Sequence, residues 1–218
     1  MTACSICGGQ TFVPAFHGRL YRGQPPKCAT CGSFERHRAV HGVFTQVQHE
    51  LEGFRALHFA PDASVNPKWF ARYQPSTYGT GTSLDMMATG LGDETFDLVI
   101  SNHVLEHVSD DVAAIREQLR ILTHEGWVHF TVPLPMSWAE TDDWGYPKAD
   151  SNDHYRGYGA DMAGRLVRAI PEMTLAAILG TDPVTGRHEW MFWVSRSRRR
   201  MVSLTQQLLD RKVPVLLL

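Results

Sequence analysis

Apolar residues recur along the chain with two periods, one typical of helices and the other typical of strands. The first helical stripe comprises Val40, Val43, Phe44, Val47 and Leu51. Its steps of three and four residues place these side chains on one face of a helix. Ser33 is a suitable cap at the start of this helix, and Gly53 is a suitable end.

A second helical stripe follows the clearest strand. Residues 96–101 are mostly apolar and β-branched after a turn-like segment, which predicts a buried strand. Ser109 then caps a predicted helix that carries its apolar residues on one face, and Gly126 ends it. Further strands are predicted at residues 55–60, 76–80, 127–132, 175–179 and 190–194, and a further helix at residues 160–170.

Strands that alternate with helices predict an α/β fold with a mostly parallel sheet and helices on both faces. Residues 34–218 are assigned to this domain, and residues 1–33 to a small domain before it. Residues 133–158 are rich in Pro, Gly, Asp and aromatic residues. We expect this segment to be a long loop that binds a ligand, because long irregular loops in compact domains often do so.

Composition excludes several classes of protein. The chain has 218 residues, and its 21 Lys and Arg against 23 Asp and Glu give a net charge of −2. This balance lacks the basic face that nucleic acids require, so we expect no nucleic-acid partner. No apolar run approaches the roughly 18 residues of a membrane span, and the first residues do not resemble an export signal. A cytoplasmic protein, monomeric or homodimeric, is expected.

The four cysteines have the spacing of a metal site. Two residues separate Cys4 from Cys7 and Cys28 from Cys31, and twenty residues lie between the pairs. Two such pairs direct four thiolates at one tetrahedral zinc ion, which leaves no open coordination position and predicts a structural site. Two disulfides or four free thiols are the alternatives, and the lack of an export signal disfavours disulfides.

Two stretches carry a resemblance to a known family. Residues 96–108 read Phe-Asp-Leu-Val-Ile-Ser-Asn-His-Val-Leu-Glu-His-Val, and a predicted helix and a strand ending in Val132-Pro133 follow. This run resembles the fourth strand, the next helix and the fifth strand of class I S-adenosylmethionine-dependent methyltransferases, which have a Rossmann-like fold. The segments Cys28-Ala-Thr-Cys-Gly-Ser-Phe-Glu-Arg-His-Arg and Leu57-His-Phe-Ala-Pro-Asp resemble a bacterial subgroup with an N-terminal zinc ribbon. The resemblance covers about residues 55–195.

The resemblance implies S-adenosylmethionine as the cofactor, bound beyond the carboxyl ends of the strands. The residues placed there are Phe59, Ala60, Pro61, Asp62, Leu84, Asp85, Met86, Asn102 and His103. By the same resemblance, Asp85 contacts the adenine amino group and Met86 lies beside the adenine ring. Arg36 and His37 are expected to hold the methionyl carboxylate, because the helix before the first strand covers that part of the pocket in relatives.

The chain departs from the family pattern in two places. Most relatives have a Gly-x-Gly turn after the first strand, where this chain has residues 59–62. Relatives also have an acid after the second strand that binds the ribose, and residues 78–83 contain no carboxylate. Gly79 and Gly81 are candidates for a close backbone approach to the cofactor at that strand.

We expect the methyl acceptor to be a small polar molecule with an amine or hydroxyl group, bound by the loop at residues 133–158. The candidate binding residues are Trp138, Asp143, Trp144, His154, Tyr155, Arg156 and Tyr158. His103 and His154 are the candidate general bases, because imidazole titrates near neutral pH. The alternatives are an RNA methyltransferase anchored by its ribbon, and a non-catalytic interaction protein that has lost the cofactor.

Overall fold

A computed structural model describes residues 2–218 of the chain. Its N-terminal part is small and contains one two-stranded antiparallel sheet, formed by β1 (Phe12–Val13) and β2 (Lys27–Cys28). The knuckles that carry the cysteines lie at either end of this segment, as a zinc ribbon requires.

A seven-stranded sheet forms the centre of the main domain. Its strands are β3 (Arg55–Phe59), β4 (Arg72–Ser76), β5 (Phe96–Asn102), β6 (Leu122–Thr131), β9 (Thr174–Thr181), β10 (His188–Ser195) and β11 (Val215–Leu217). The strand order is β11-β9-β10-β6-β5-β3-β4. The pairings of β3 with β4 and β5, and of β5 with β6, are parallel, whereas β10 pairs antiparallel with β6 and β9. Since β11 also pairs antiparallel with β9, five of the seven strands run in one direction.

Four helices cover the two faces of this sheet. They are α1 (Glu35–Val47), α2 (Asp111–Ile121), α3 (Met162–Ala169) and α4 (Arg198–Asp210). One apolar core lies between the sheet and α2 and α3, and a second core lies between the opposite face and α1 and α4. The predicted α/β fold with helices on both faces is confirmed.

The boundaries differ from the sequence predictions in several places, including the N-caps of α1 and α2, which are Phe34 and Asp110. The second strand is residues 72–76, earlier than predicted, and residues 77–95 contain neither helix nor strand. Helix α2 ends at Ile121, and Gly126 lies inside β6, with the site of its missing side chain only 2.9 Å from the Asp97 carbonyl oxygen. The predicted loop contains a β-hairpin, β7 (Asp142–Lys148) and β8 (His154–Gly157), which pair antiparallel.

A buried ion pair joins the ribbon to the main domain. The Arg38 guanidinium donates two hydrogen bonds to the Asp182 carboxylate, at 2.7 and 2.9 Å, and both side chains are completely buried. The same guanidinium donates to the carbonyl oxygens of Pro26 and Ser33 in the ribbon. Arg38 therefore connects the ribbon, α1 and the turn between β9 and β10.

Among the residues that the structure describes, no helix has the length and apolar character needed to cross a bilayer.

We expect Arg38→Met to lower the free energy of unfolding by about 3 to 5 kcal/mol, because it leaves the Asp182 carboxylate buried without its partner. The matched control is Arg199→Met, which removes an exposed arginine paired with Glu125 at 3.3 Å and costs less than about 1 kcal/mol. Urea denaturation followed by circular dichroism measures both variants. If the two variants lost the same free energy of unfolding, the buried ion pair would not stabilise the fold more than an exposed pair does.

Candidate functional site

The turn after β3 keeps a conformation that usually needs glycine. Ala60 has φ of +47°, in the left-handed region, and its N–H donates to the Ser76 carbonyl oxygen at 2.8 Å. Left-handed backbone costs a residue with a side chain about 1 to 2 kcal/mol. The turn at residues 59–62 thus has the backbone form of a glycine turn without a glycine, and it directs Pro61 and Asp62 to the carboxyl edge of the sheet.

Asp62 lies at the centre of a polar network at this edge. Its carboxylate accepts from the Ser64 backbone N–H at 2.7 Å and from the Asn102 amide at 3.3 Å. The Asn102 amide nitrogen also donates to the Ser64 hydroxyl, and its oxygen accepts from Thr131 and faces His129 at 3.1 Å. The side chain of Asn102 is therefore fully engaged within the protein, which leaves Asp62 as the group that can face a ligand.

Of the four charged or titratable residues at the start of α1, Glu35 to Arg38, His37 is the one that faces Asp62. The Nε2 atom of His37 lies 3.8 Å from the Asp62 carboxylate, and its Nδ1 atom accepts from the Phe34 backbone N–H. Burial lowers the pKa of His37, although the Asp62 charge opposes that shift. Arg36 lies over the Phe34 ring at 5.4 Å, so its predicted role with the cofactor carboxylate lacks structural support.

Two histidines lie deeper in the same network. Burial lowers the pKa of His58 to about 4 and the pKa of His129 to about 3, so both are neutral at pH 7. His58 is hydrogen-bonded to the Tyr73 hydroxyl at 2.9 Å. These neutral rings form a polar layer under the crevice and do not reach its surface.

His103 follows β5 with φ of +55° and lies between two carboxylates. Its Nδ1 atom is 3.5 Å from Glu106, and its Nε2 atom is 3.4 Å from Glu189. Burial by itself lowers the pKa of His103, but the bonds and charges of Glu106 and Glu189 outweigh it and raise the pKa to about 9. An imidazolium has no lone pair to accept a proton, so the raised pKa of His103 does not favour its predicted role as a general base.

The hairpin supplies fewer ligand-binding side chains than predicted. Arg156 is buried and donates to Asp143 and to the carbonyl oxygens of Val108 and Ser109, at 2.7 to 2.8 Å. Tyr158 is buried and donates to Asp111 at 2.9 Å. Both side chains are engaged within the protein, which does not favour their predicted role in substrate binding.

Other predicted substrate-binding residues remain accessible. Trp138 is well exposed, and His154 and Tyr155 are half-buried. The Trp144 indole N–H donates to the His154 carbonyl oxygen at 2.8 Å, and Lys148 lies over the Trp144 ring. The ring of His154 meets that of His107 edge-on, with centroids 4.7 Å apart. The accessible side of the hairpin therefore lies next to the end of β5.

The predicted cofactor-binding residues around β3 and β4, including Asp85 and Met86 for adenine, lie in different surroundings. Phe59 and Met86 are buried in the core, whereas Asp85 is exposed and accepts from the Met87 backbone N–H. Gly81 and Leu84 line an open cleft of about 400 Å³ beside the edge strand β4. Gly79, with φ of +74°, forms an exposed turn before that segment. Both glycines follow the carboxyl end of β4, and their close approach to the cofactor stays a prediction.

Glu106 and Glu189 belong to the site, although the sequence pattern did not predict them there. Glu106 belongs to the run after β5 that resembles methyltransferases, and its position three residues after His103 was an available signal. Glu189 lies on β10, and only the tertiary fold brings it to His103.

The four cysteine sulfurs converge in the ribbon. The Sγ atoms of Cys4 and Cys31 are 3.8 Å apart, and those of Cys7 and Cys28 are 3.6 Å apart. Tetrahedral zinc with Zn–S bonds of about 2.3 Å separates its thiolates by roughly 3.8 Å. These distances fit one metal ion and exceed the roughly 2.05 Å of a disulfide bond.

Comparison with known proteins identifies the central segment. Residues 57–130, which run from β3 through β6, match the sequence model of the family described as methyltransferase domain. No curated protein matches the chain.

Two solved structures with TM-scores above 0.5 share the fold of this chain. A Burkholderia thailandensis 1,6-didemethyltoxoflavin-N1-methyltransferase, with bound 1,6-didemethyltoxoflavin and S-adenosylhomocysteine, has a TM-score of 0.51 at 12% identity over 73% of this chain and 77% of its own. The CurJ carbon methyltransferase has a TM-score of 0.51 at 11% identity over 73% of this chain and 55% of its own. A possible histamine N-methyltransferase from Thermotoga maritima is a weaker match, with a TM-score of 0.44 at 13% identity. The match covers 72% of this chain and 89% of the Thermotoga chain.

We expect stability to fall as the pH drops from 7 to 4.5. The unfolded chain protonates its histidines near pH 6.5, whereas folded His58 and His129 do so only near pH 4 and 3, so protons favour unfolding in this window. Each ring contributes a loss of about 2 to 3 kcal/mol. Urea denaturation at both pH values measures this loss.

The variant His129→Gln should show a smaller loss between these pH values than the unmodified protein. The control His124→Gln removes an exposed histidine and should keep the full loss. A loss that is the same in all three proteins would show that His129 does not contribute to the pH dependence.

Proposed function

We propose that this chain, which carries the methyltransferase domain of the S-adenosylmethionine-dependent enzymes, methylates a small polar molecule at a hydroxyl or amine. The bound cofactor would supply a methyl group on a sulfonium, which is already activated for transfer. The protein's own task is then to hold donor and acceptor in line.

The charge of the crevice is the observation that supports this proposal most. Asp62 lies at the end of β3, where the turn at Ala60 opens toward the carboxyl edge, and its side chain is 18% exposed. S-adenosylmethionine carries an ammonium and a sulfonium, so a partly exposed carboxylate fits a cationic group of the cofactor. We assign Asp62 to the methionyl ammonium, with His37 beside it and Asn102 fixing its orientation.

The acceptor would approach from the hairpin side, past Trp138 and Tyr155. With the cofactor bound, the acceptor's lone pair would attack the methyl carbon, the carbon–sulfur bond would break with its electron pair remaining on sulfur, and the acceptor would release its proton to solvent. The relative from Burkholderia thailandensis, solved with a small molecule and S-adenosylhomocysteine, supports a small acceptor on this fold.

Ion pairs disfavour the alternative of an RNA methyltransferase. Arg19 donates to Glu35 at 2.7 Å, and Arg38 is buried against Asp182. These pairs remove two cations from the local basic bias of the ribbon end, which weakens the electrostatic basis for RNA binding.

We also propose that Cys4, Cys7, Cys28 and Cys31 hold one structural zinc ion. The sulfur spacing described above supports this assignment, and the full set of protein thiolates leaves no coordination position for a substrate.

We expect calorimetry to detect binding of S-adenosylmethionine and S-adenosylhomocysteine. Asp62→Asn should weaken the binding of S-adenosylmethionine at least about tenfold, because it removes the charge that faces the ammonium.

Asp85→Ala should weaken the binding of both ligands several-fold if residues 84–86 contact adenine. The control Asp150→Asn, an exposed acid of the hairpin, should not change either affinity. If neither ligand gives a heat of binding with the unmodified protein, the proposal is wrong and the alternative of a non-catalytic interaction protein is favoured.

We expect cobalt to replace zinc in the ribbon and to give the strong near-ultraviolet absorption of thiolate coordination. Cys7→Ser should remove most of this absorption, while Ser5→Ala should retain it. Because Arg38 donates to two ribbon carbonyls, loss of the ion should also make residues 2–33 more sensitive to proteases. A Cys7→Ser spectrum equal to that of the unmodified protein would contradict the assignment.

A further inference from the structure

We infer that Glu106, His107 and His154 form a second metal site, for a divalent first-row transition ion, at the mouth of the crevice. The three residues each offer one ligand atom, and these atoms all lie within 4.8 Å of one another. Two imidazoles and one carboxylate are a donor set that binds zinc, iron or manganese in proteins.

Only small movements of the side chains are needed for these three residues to bind an ion. Ligand atoms at about 2.1 Å from a metal are roughly 3 to 4 Å apart. The His107 and His154 rings are perpendicular, with their centroids 4.7 Å apart, and His107 is exposed. Rotation of that side chain can therefore shorten the distances without disturbing the core.

A buried carboxylate oxygen independently indicates a ligand. The Glu106 side chain is 1% exposed, and its Oε2 atom has no hydrogen-bond partner within the part of the chain that the structure describes. Its other oxygen faces His103 at 3.5 Å. An unpartnered carboxylate oxygen is costly to bury, so a cation at this position would satisfy it.

Neither imidazole is engaged elsewhere. Within residues 2–218, the ring nitrogens of His107 and His154 make no hydrogen bond. Two nitrogen lone pairs and one carboxylate oxygen are thus available at the same point.

The backbone that carries the three ligands is held by specific contacts. Glu106 and His107 belong to a single helical turn, Leu105–His107, directly after β5. Arg156 ties β8 to that turn through the carbonyl oxygens of Val108 and Ser109, and Trp144 donates to the His154 carbonyl oxygen. Arg156 is buried because its guanidinium makes these contacts, and they position His154 next to His107.

Such an ion would have open coordination positions, since the protein supplies three ligands. An acceptor hydroxyl bound there would have a lowered pKa and could lose its proton to solvent before its oxygen attacks the methyl carbon. This consequence rests on the proposed function, and it favours a hydroxyl over an amine as the acceptor.

The test uses manganese, which prefers oxygen and nitrogen ligands and binds poorly to the thiolates of the ribbon. The full chain, with its ribbon loaded with zinc, is titrated with Mn²⁺ while electron paramagnetic resonance measures the free ion. We expect one bound Mn²⁺ per chain, and at least tenfold weaker binding in Glu106→Gln and in His154→Ala. The control variants Glu94→Gln and His124→Ala should bind as the unmodified protein does.

Circular dichroism and the cobalt absorption of the ribbon verify that the variants remain folded. No binding of Mn²⁺ or Co²⁺ outside the ribbon at millimolar concentration would overturn the inference, and so would unchanged binding in both ligand variants. Calorimetry with S-adenosylmethionine separates the two proposals. Cofactor binding without a second ion refutes only the metal site, whereas a bound ion without cofactor binding refutes only the proposed function.

Discussion

The hydrogen bonds of one buried amide, Asn102, fix the carboxyl edge of the sheet. Its nitrogen donates to Asp62 and Ser64, and its oxygen accepts from Thr131 and faces His129. Loss of this amide would leave several buried polar groups without partners, each at a cost of about 1 to 3 kcal/mol. The turn after β3 therefore has its position because β5 and β6 hold it, and the crevice depends on that position.

The sequence predicted the elements that are determined locally. The strand at residues 96–101 and the helix after it have strong apolar patterns, and both are present as β5 and α2. β4 was misplaced because it is a short edge strand that contains Pro75 and little apolar sequence. The hairpin was missed because residues 142–148 carry Gly, Pro and Asp, and pairing with residues 154–157 stabilises this irregular strand.

The candidate site was less predictable, because its electrostatics depend on residues far apart in the chain. His103 was predicted to be a base from its residue type and its place after a strand. Its raised pKa follows from two carboxylates, of which Glu189 comes from the antiparallel strand β10. The roles of Arg156 and Tyr158 likewise depend on burial, which a loop rich in polar and aromatic residues does not reveal.

The contacts of α1 connect the ribbon with the crevice. Arg38 binds Asp182 and two ribbon carbonyls, and the preceding residue, His37, faces Asp62. Because neighbouring positions on a helix are rigidly related, fixing Arg38 also fixes how far His37 reaches into the crevice. The ribbon thus anchors the first turn of α1. Its contribution to the site is mechanical, since it positions His37 through Arg38 while its basic residues are partly paired.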